Sequence, residues 1–169
     1  MLIGVIIVIV IAVINVVIYV IQVNKKAERQ KYYDAAYKVI KESCLNNAIR
    51  NHSEKLQNRQ KQMVYLKWKD GEKQGYVFDP ETPIWIGRNP ENNDISIREG
   101  AVSSRHCVLY LYQGNIFLKD LNSRNGTWMK QGMTKQQVQG VKQVFSGDKI
   151  IVGDLMIEVT IFMFDMAYV

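Results

Sequence analysis

From Leu2 to Val23 the chain runs for 22 residues without a formal charge, with Ile or Val at most positions and only Asn15 and Gln22 strongly polar. At ~1.5 Å rise per residue, a helix of this length spans a hydrocarbon core of ~30 Å. Ile and Val are mediocre helix formers in water, but in lipid a lone segment satisfies its backbone only as a helix. The pattern predicts a transmembrane helix over residues 1–23. A cleaved signal peptide fits less well, because no basic residue precedes the run, the run is too long, and no small-x-small cleavage site follows. Asn15 reads as a polar residue tolerated in a strongly apolar span, ahead of an interhelical hydrogen-bonding role.

Residues 24–63 contain no Pro or Gly and are rich in Lys, Gln, Ala and Glu, which predicts a basic helical stalk. Its apolar stripe is thin. Tyr33, Tyr37, Ile40 and Cys44 follow 4-3-4 spacing, then the register slips to Leu45, Ile49, His52 and Leu56, so no sustained heptad is present. A stalk that dimerises, a basic helix held against anionic lipid and a solvated spacer all remain open.

After Met63 the spacing changes to short apolar or alternating runs broken by turn residues. Ten runs stand out: 64–69, 75–78, 84–87, 94–97, 105–112, 116–121, 127–129, 141–145, 149–152 and 155–164. Ten short strands must close on themselves to bury one face each, so residues 64–169 are expected to form an all-β sandwich or barrel. Loops gathered at one end of such a sandwich carry function.

Charge sharpens this picture. Of 169 residues, 22 are basic and 16 acidic. Residues 24–63 hold 10 basic and 4 acidic groups, whereas residues 64–169 hold 12 of each. The basic excess lies in the stalk, so the β domain is not expected to bind nucleic acid. Lys25, Lys26, Arg29 and Lys31 follow the apolar run directly, which by the positive-inside bias puts the N-terminus outside and the β domain in the cytoplasm. Cys44 and Cys107 give neither a disulfide framework nor metal-ligand spacing, in keeping with a reducing compartment. The sequons Asn51-His52-Ser53 and Asn125-Gly126-Thr127 matter only outside the cell.

The β region carries Ile86-Gly87-Arg88, Asn93-Asp94-Ile95, Val102-Ser103-Ser104-Arg105-His106, the run from Asp120 to Thr127 (DLNSRNGT), and Gly147-Asp148 with Ile150. In this order and approximate spacing they resemble the forkhead-associated (FHA) family of phosphothreonine-binding β-sandwich domains, over residues 64 to about 165. A phosphothreonine carries about −1.5 to −2 charge and three acceptor oxygens, so its site needs a cationic fork and neutral donors with no carboxylate pointing inward. The resemblance implies that Arg88 supplies the fork, Ser103 and Ser104 add donors, Arg124 contacts phosphate or peptide, and Asn125 grips the peptide backbone. Gly87, His106, Gly126 and Thr127 are implied as structural support, with His106 bracing the Ser103 loop and Gly126 at positive φ. At Ser104 the family often has Arg or Asn, and the shorter side chain implies modest affinity. The resemblance places loop 98–101 where the family selects residues C-terminal to the phosphothreonine, and its mixed charge predicts no clear consensus.

Taken with the apolar run and the basic residues after it, the resemblance implies a membrane-anchored, phosphothreonine-reading, single-pass protein that recruits a partner phosphorylated by a Ser/Thr kinase, in what looks like a bacterial plasma membrane. It implies no cofactor and no metal. The alternative is a phosphate-independent scaffold in a secretion or cell-division assembly, and dimerisation through the stalk stays open. Catalysis is not expected, since Ser104 and His106 share a strand face but have no nucleophile elbow and no third group to orient the imidazole. Trp68, Trp85 and Trp128 read as structural. No threonine precedes Thr82, so the stalk is not expected to be the domain's own ligand.

Overall fold

A computed structural model describes residues 2–50 and 60–166. The chain divides into two compact units, residues 1–34 and 35–169. Helix α1 (Leu2–Arg50) runs without interruption through the apolar run and most of the predicted stalk. It is long and apolar enough to cross a membrane. Its side chains at Ile9, Val10, Ile11, Val13, Ile14, Val16–Ile21 and Val23 are exposed, an apolar surface that water covers poorly. Farther along, Ala36 and Ile40 are buried, and Ile40 belongs to the predicted stripe. Of that stripe, the side chains of Cys44, Leu45 and Ile49 are not described, and His52 and Leu56 lie outside the described residues, as does the first sequon.

The second unit is dominated by two β-sheets. Strands β1 (Gln60–Asp70), β2 (Glu72–Phe78), β7 (Trp128–Gln131), β8 (Thr134–Gln137), β10 (Lys149–Val152) and β11 (Leu155–Asp165) form one sheet in the order β2-β1-β11-β10-β7-β8. Strands β3 (Ile84–Gly87), β4 (Ile95–Ser96), β5 (Cys107–Tyr112), β6 (Asn115–Asp120) and β9 (Val141–Val144) form the other in the order β4-β3-β5-β6-β9. Every ladder is antiparallel except β3 with β4. Alternation drives the packing. Val64, Leu66 and Trp68 with Met129, Ile150 and Ile157 from the first sheet meet Ile84, Ile86, Leu109, Ile116 and Leu118 from the second in one core cluster.

The ten runs each overlap a strand, and two details differ. Strand β1 begins at Gln60, so residues 60–63, which read as the end of a helical stalk, are extended backbone paired with β11 from Gln60–Asp165 onward. The polar Lys61 and Gln62 there mask a strand whose partner lies far along the chain. Strand β8 (TKQQ) is not among the ten runs because all four of its residues are exposed, leaving no apolar alternation to read. Beyond the core, Met63, Phe162 and Phe164 sit at positions that alternate away from it, yet all are buried and make up a second apolar set in the same unit.

The core and edge differ sharply in what substitution does. Leu109→Ala, at a fully buried position, is expected to cost about 2–5 kcal/mol through transfer and cavity terms. Met133→Ala, at a side chain 100% exposed, should stay within about 0.5 kcal/mol. Urea unfolding of both variants measures the contrast.

Candidate functional site

Three loops meet at one end of the sandwich: 88–94 after β3, 97–106 before β5, and 121–127 after β6. Backbone bonds tie the first two. Arg88 N–H donates to the Ser103 carbonyl (2.9 Å) and Asn89 N–H to the Ser104 carbonyl (3.3 Å). Gly87 stands where they cross. A Cβ there would run into the Ser104 carbonyl oxygen and the Asn93 side chain, so the loops approach this closely only because residue 87 has none.

Asn93 holds the crossing from the other side. Its Nδ2 donates to Asn89 O and to Ser104 O, both at 2.7 Å. Its Oδ1 is buried without a hydrogen-bond partner. Two carbonyls need the donors, so the amide cannot turn around to satisfy its own oxygen. Asn93 belongs to a motif quoted above but had no assigned role. The available signal was an Asn in a polar loop, which the sequence alone does not distinguish from an ordinary turn residue.

His106 joins the second loop to the third. Fully buried, its Nδ1 accepts from Ser103 N–H (3.2 Å). Its Nε2 faces the Gly126 carbonyl at 3.3 Å. An acceptor at Nδ1 and a carbonyl at Nε2 together require the neutral tautomer with the proton on Nε2. Both ring nitrogens are thereby occupied, leaving none to deprotonate Ser104. Burial lowers the imidazole pKa, against opposing pulls from the Gly126 carbonyl and Asp120. Gly126 takes φ +73°, and a Cβ there would run into the Gln137 side-chain amide.

Asp120 organises the third loop. One oxygen accepts from the hydroxyls of Ser123 (2.6 Å) and Thr127 (2.5 Å), the other from Ser123 N–H (3.1 Å). Burial pushes its carboxyl up, but these bonds outweigh that and hold it below the ordinary value. Thr127 is fully buried in this network. Burial pushes the neighbouring Cys107 thiol up to about 12, so it packs as a thiol.

With the loops so fixed, Arg88, Gly100, Ala101, Val102, Ser103, Ser104 and Arg124 line a cavity of about 200 Å³. Two arginines and two serines are among its lining residues, and no acidic residue is. The Arg88 guanidinium has no hydrogen-bond or ion-pair partner among the described residues. Ser103 Oγ accepts from Arg124 N–H (3.0 Å), which leaves its own proton to donate. Glu99, in the adjoining loop, is turned away and accepts from Asp154 N–H. Asn125 does not line the cavity. Its Nδ2 donates to Ala101 O (2.7 Å), leaving its second N–H and its Oδ1 for a ligand. Of the tryptophans, Trp68 is in the core, Trp85 lies under the Arg105 guanidinium (3.9 Å), and Trp128 is exposed.

These pKa shifts have a defined sign. Unfolded, His106 binds a proton below its ordinary value of 6.5; folded, it resists until lower pH. Its contribution to stability is complete above 6.5 and is lost as pH falls through the depressed folded value. Asp120 behaves likewise about its ordinary 3.8. The melting temperature should be flat from about pH 8 to 7 and fall in two stages below. His106→Ala should cost about 1–3 kcal/mol at pH 7 and remove the first stage. Nitrogen-15 NMR at pH 7 should show protonated Nε2 and bare Nδ1.

Residues 84–153 match the family model of the FHA domain. An FHA domain-containing protein of Arabidopsis thaliana is 33% identical over 67 residues, which covers 38% of this chain and only 17% of that protein. An FHA domain solved in a study of phosphothreonine-dependent FHA domain interactions is 28% identical, with a TM-score of 0.50, covering 58% of this chain and 95% of that one. The FHA domain of a Chlamydia trachomatis protein, 18% identical, superposes with a TM-score of 0.51 over 58% of this chain and 96% of that one, a likeness of fold alone. The matched segment runs from β3 to the turn after β10 and contains all three loops of the cavity, so this part of the β-sandwich is similar to an FHA domain in both sequence and fold.

Proposed function

We propose that this FHA domain binds phosphothreonine peptides of a partner protein and that α1 anchors it in a membrane, with the domain in the cytoplasm. The observation that carries the first half is the cavity between Arg88, Arg124, Ser103 and Ser104, with two positive charges, hydroxyl donors and no acid. A dianionic phosphate with three acceptor oxygens suits such a lining. FHA domains commonly bind phosphothreonine peptides in signalling, and one similar domain was solved in a study of such interactions. Asn125 then grips the peptide backbone beside the phosphoresidue. The role is recruitment of a protein phosphorylated by a Ser/Thr kinase, without catalysis.

The second half rests on the exposed aliphatic surface of α1 and on Lys25, Lys26, Arg29 and Lys31 after it. Thr127 is buried and already bonded to Asp120, which leaves Thr82, Thr134 and Thr160 as the chain's other threonines. None of the four precedes the β region, so the helical segment cannot supply a phosphothreonine, and the ligand is read as a segment of another protein, with Thr82 the self-site to check.

Arg88→Ala should leave melting nearly unchanged, since an exposed side chain with no partner is removed. Binding should weaken by roughly 30- to 1000-fold, the equivalent of about 2–4 kcal/mol for a lost charged fork. Calorimetric titration with paired phosphorylated and unphosphorylated peptide libraries measures this. Equal binding by wild type and Arg88→Ala would assign the site to a phosphate-independent scaffold instead.

Topology is tested by adding protease outside intact cells or spheroplasts. The FHA domain should survive until the membrane is permeabilised. Its removal from outside would reverse the orientation and make Asn125-Gly126-Thr127 a relevant sequon.

A further inference from the structure

The sheet register aligns Lys135, Lys130, Lys149, Glu158 and Lys67 in one row across β8, β7, β10, β11 and β1. Met129, Ile150, Ile157 and Leu66 alternate with these residues and are fully buried in the core, so the row faces outward. Strands stand ~4.8 Å apart. Lys130 therefore sits between two lysines with no acid opposite it, an arrangement that weakens a sheet.

The next row is apolar. Ile151 pairs with Trp128 on one side and Met156 on the other. Trp128 is 36% exposed and Met156 43% exposed, and Lys135 Nζ lies 5.4 Å from the centre of the Trp128 ring. A domain with equal numbers of acids and bases thus sets four lysines and two large apolar side chains on one sheet face, with a single acid in the row. Its four arginines, Arg88, Arg98, Arg105 and Arg124, all lie in the loops at the peptide end.

We infer that this face docks on an anionic lipid surface. Lysine is a compact point charge on a flexible stem, suited to a diffuse negative surface, whereas specific phosphate recognition favours the planar arginine fork. An amphipathic tryptophan among lysines suits the boundary between headgroups and acyl chains. The inference rests on α1 as a membrane anchor, which keeps the domain near such a surface. Each lysine near anionic lipid is worth roughly five-fold in partitioning. Docking holds the adjacent phosphopeptide loops at the membrane.

The test uses the full chain in nanodiscs of phosphatidylcholine alone or mixed with phosphatidylserine, with acylation rates of each lysine read by mass spectrometry. Lys130, Lys135 and Lys149 should react at least about five-fold more slowly with phosphatidylserine present. Lys119 and Lys142, on the five-stranded sheet, should not change. The protection should vanish at high salt, where the Debye length falls to ~3 Å. Equal rates in both discs overturn the inference, as does protection by an oligonucleotide or an acidic polypeptide without protection by phosphatidylserine. Carbonate extraction judges the anchor separately. A chain that carbonate strips from vesicles yet shows the phosphatidylserine-dependent protection refutes the anchor and keeps the face; one that resists carbonate without protection refutes the face and keeps the anchor.

Discussion

One buried imidazole holds the binding end of this domain together. His106 accepts a hydrogen bond from Ser103 N–H and donates one from Nε2 to the Gly126 carbonyl, so the two loops that extend from the paired strands β5 and β6 are spaced by a rigid ring. The bond at Nδ1 needs the neutral form, and burial favours that form against the opposite pull of the Gly126 carbonyl. Protonation would place a second donor against the Ser103 N–H and strand a charge in the interior. The position of the Ser103 hydroxyl, its bond with Arg124 N–H and the shape of the cavity all depend on this contact.

Three acidic side chains near the site are engaged by hydrogen bonds to backbone and hydroxyl groups. Asp94 accepts from Trp85 N–H, Asp120 from Ser123 and Thr127, and Glu99 from Asp154 N–H. Each bond fixes a turn and also keeps a carboxylate out of the cavity. Among the described residues, Arg88 and Arg124 then meet no counter-charge of their own. The same economy leaves Asn93 Oδ1 buried and unpaired, a cost accepted because both of its donors are needed to pin the loops that carry Arg88 and Ser104.

Charge type separates two regions of the domain. The arginines cluster in the loops, where a planar fork suits a single phosphate, and the lysines of β1, β7, β8 and β10 lie across an outer sheet face. The first arrangement suits one bound group and the second an extended anionic surface. Sequence order scatters both sets, and only the sandwich collects them.

The sequence by itself determined the elements with a strong local period: the apolar helix, the ten alternating runs and the polar loop motifs that carry the FHA resemblance. These are legible because burial imposes a spacing of 3.6 or 2 on the chain and turns demand particular residues. Pairings between distant segments were decided only by the tertiary structure. Residues 60–63 became strand because β11 lies beside them, and β8 formed as an exposed edge against β7 with no apolar signal of its own. Arg88, Ser103, Ser104 and Arg124 could be named one by one, but their convergence on one cavity, the tautomer of His106 and the clasp made by Asn93 depend on backbone groups from separate loops. Every residue carries those same groups, so a sequence cannot mark which of them will meet.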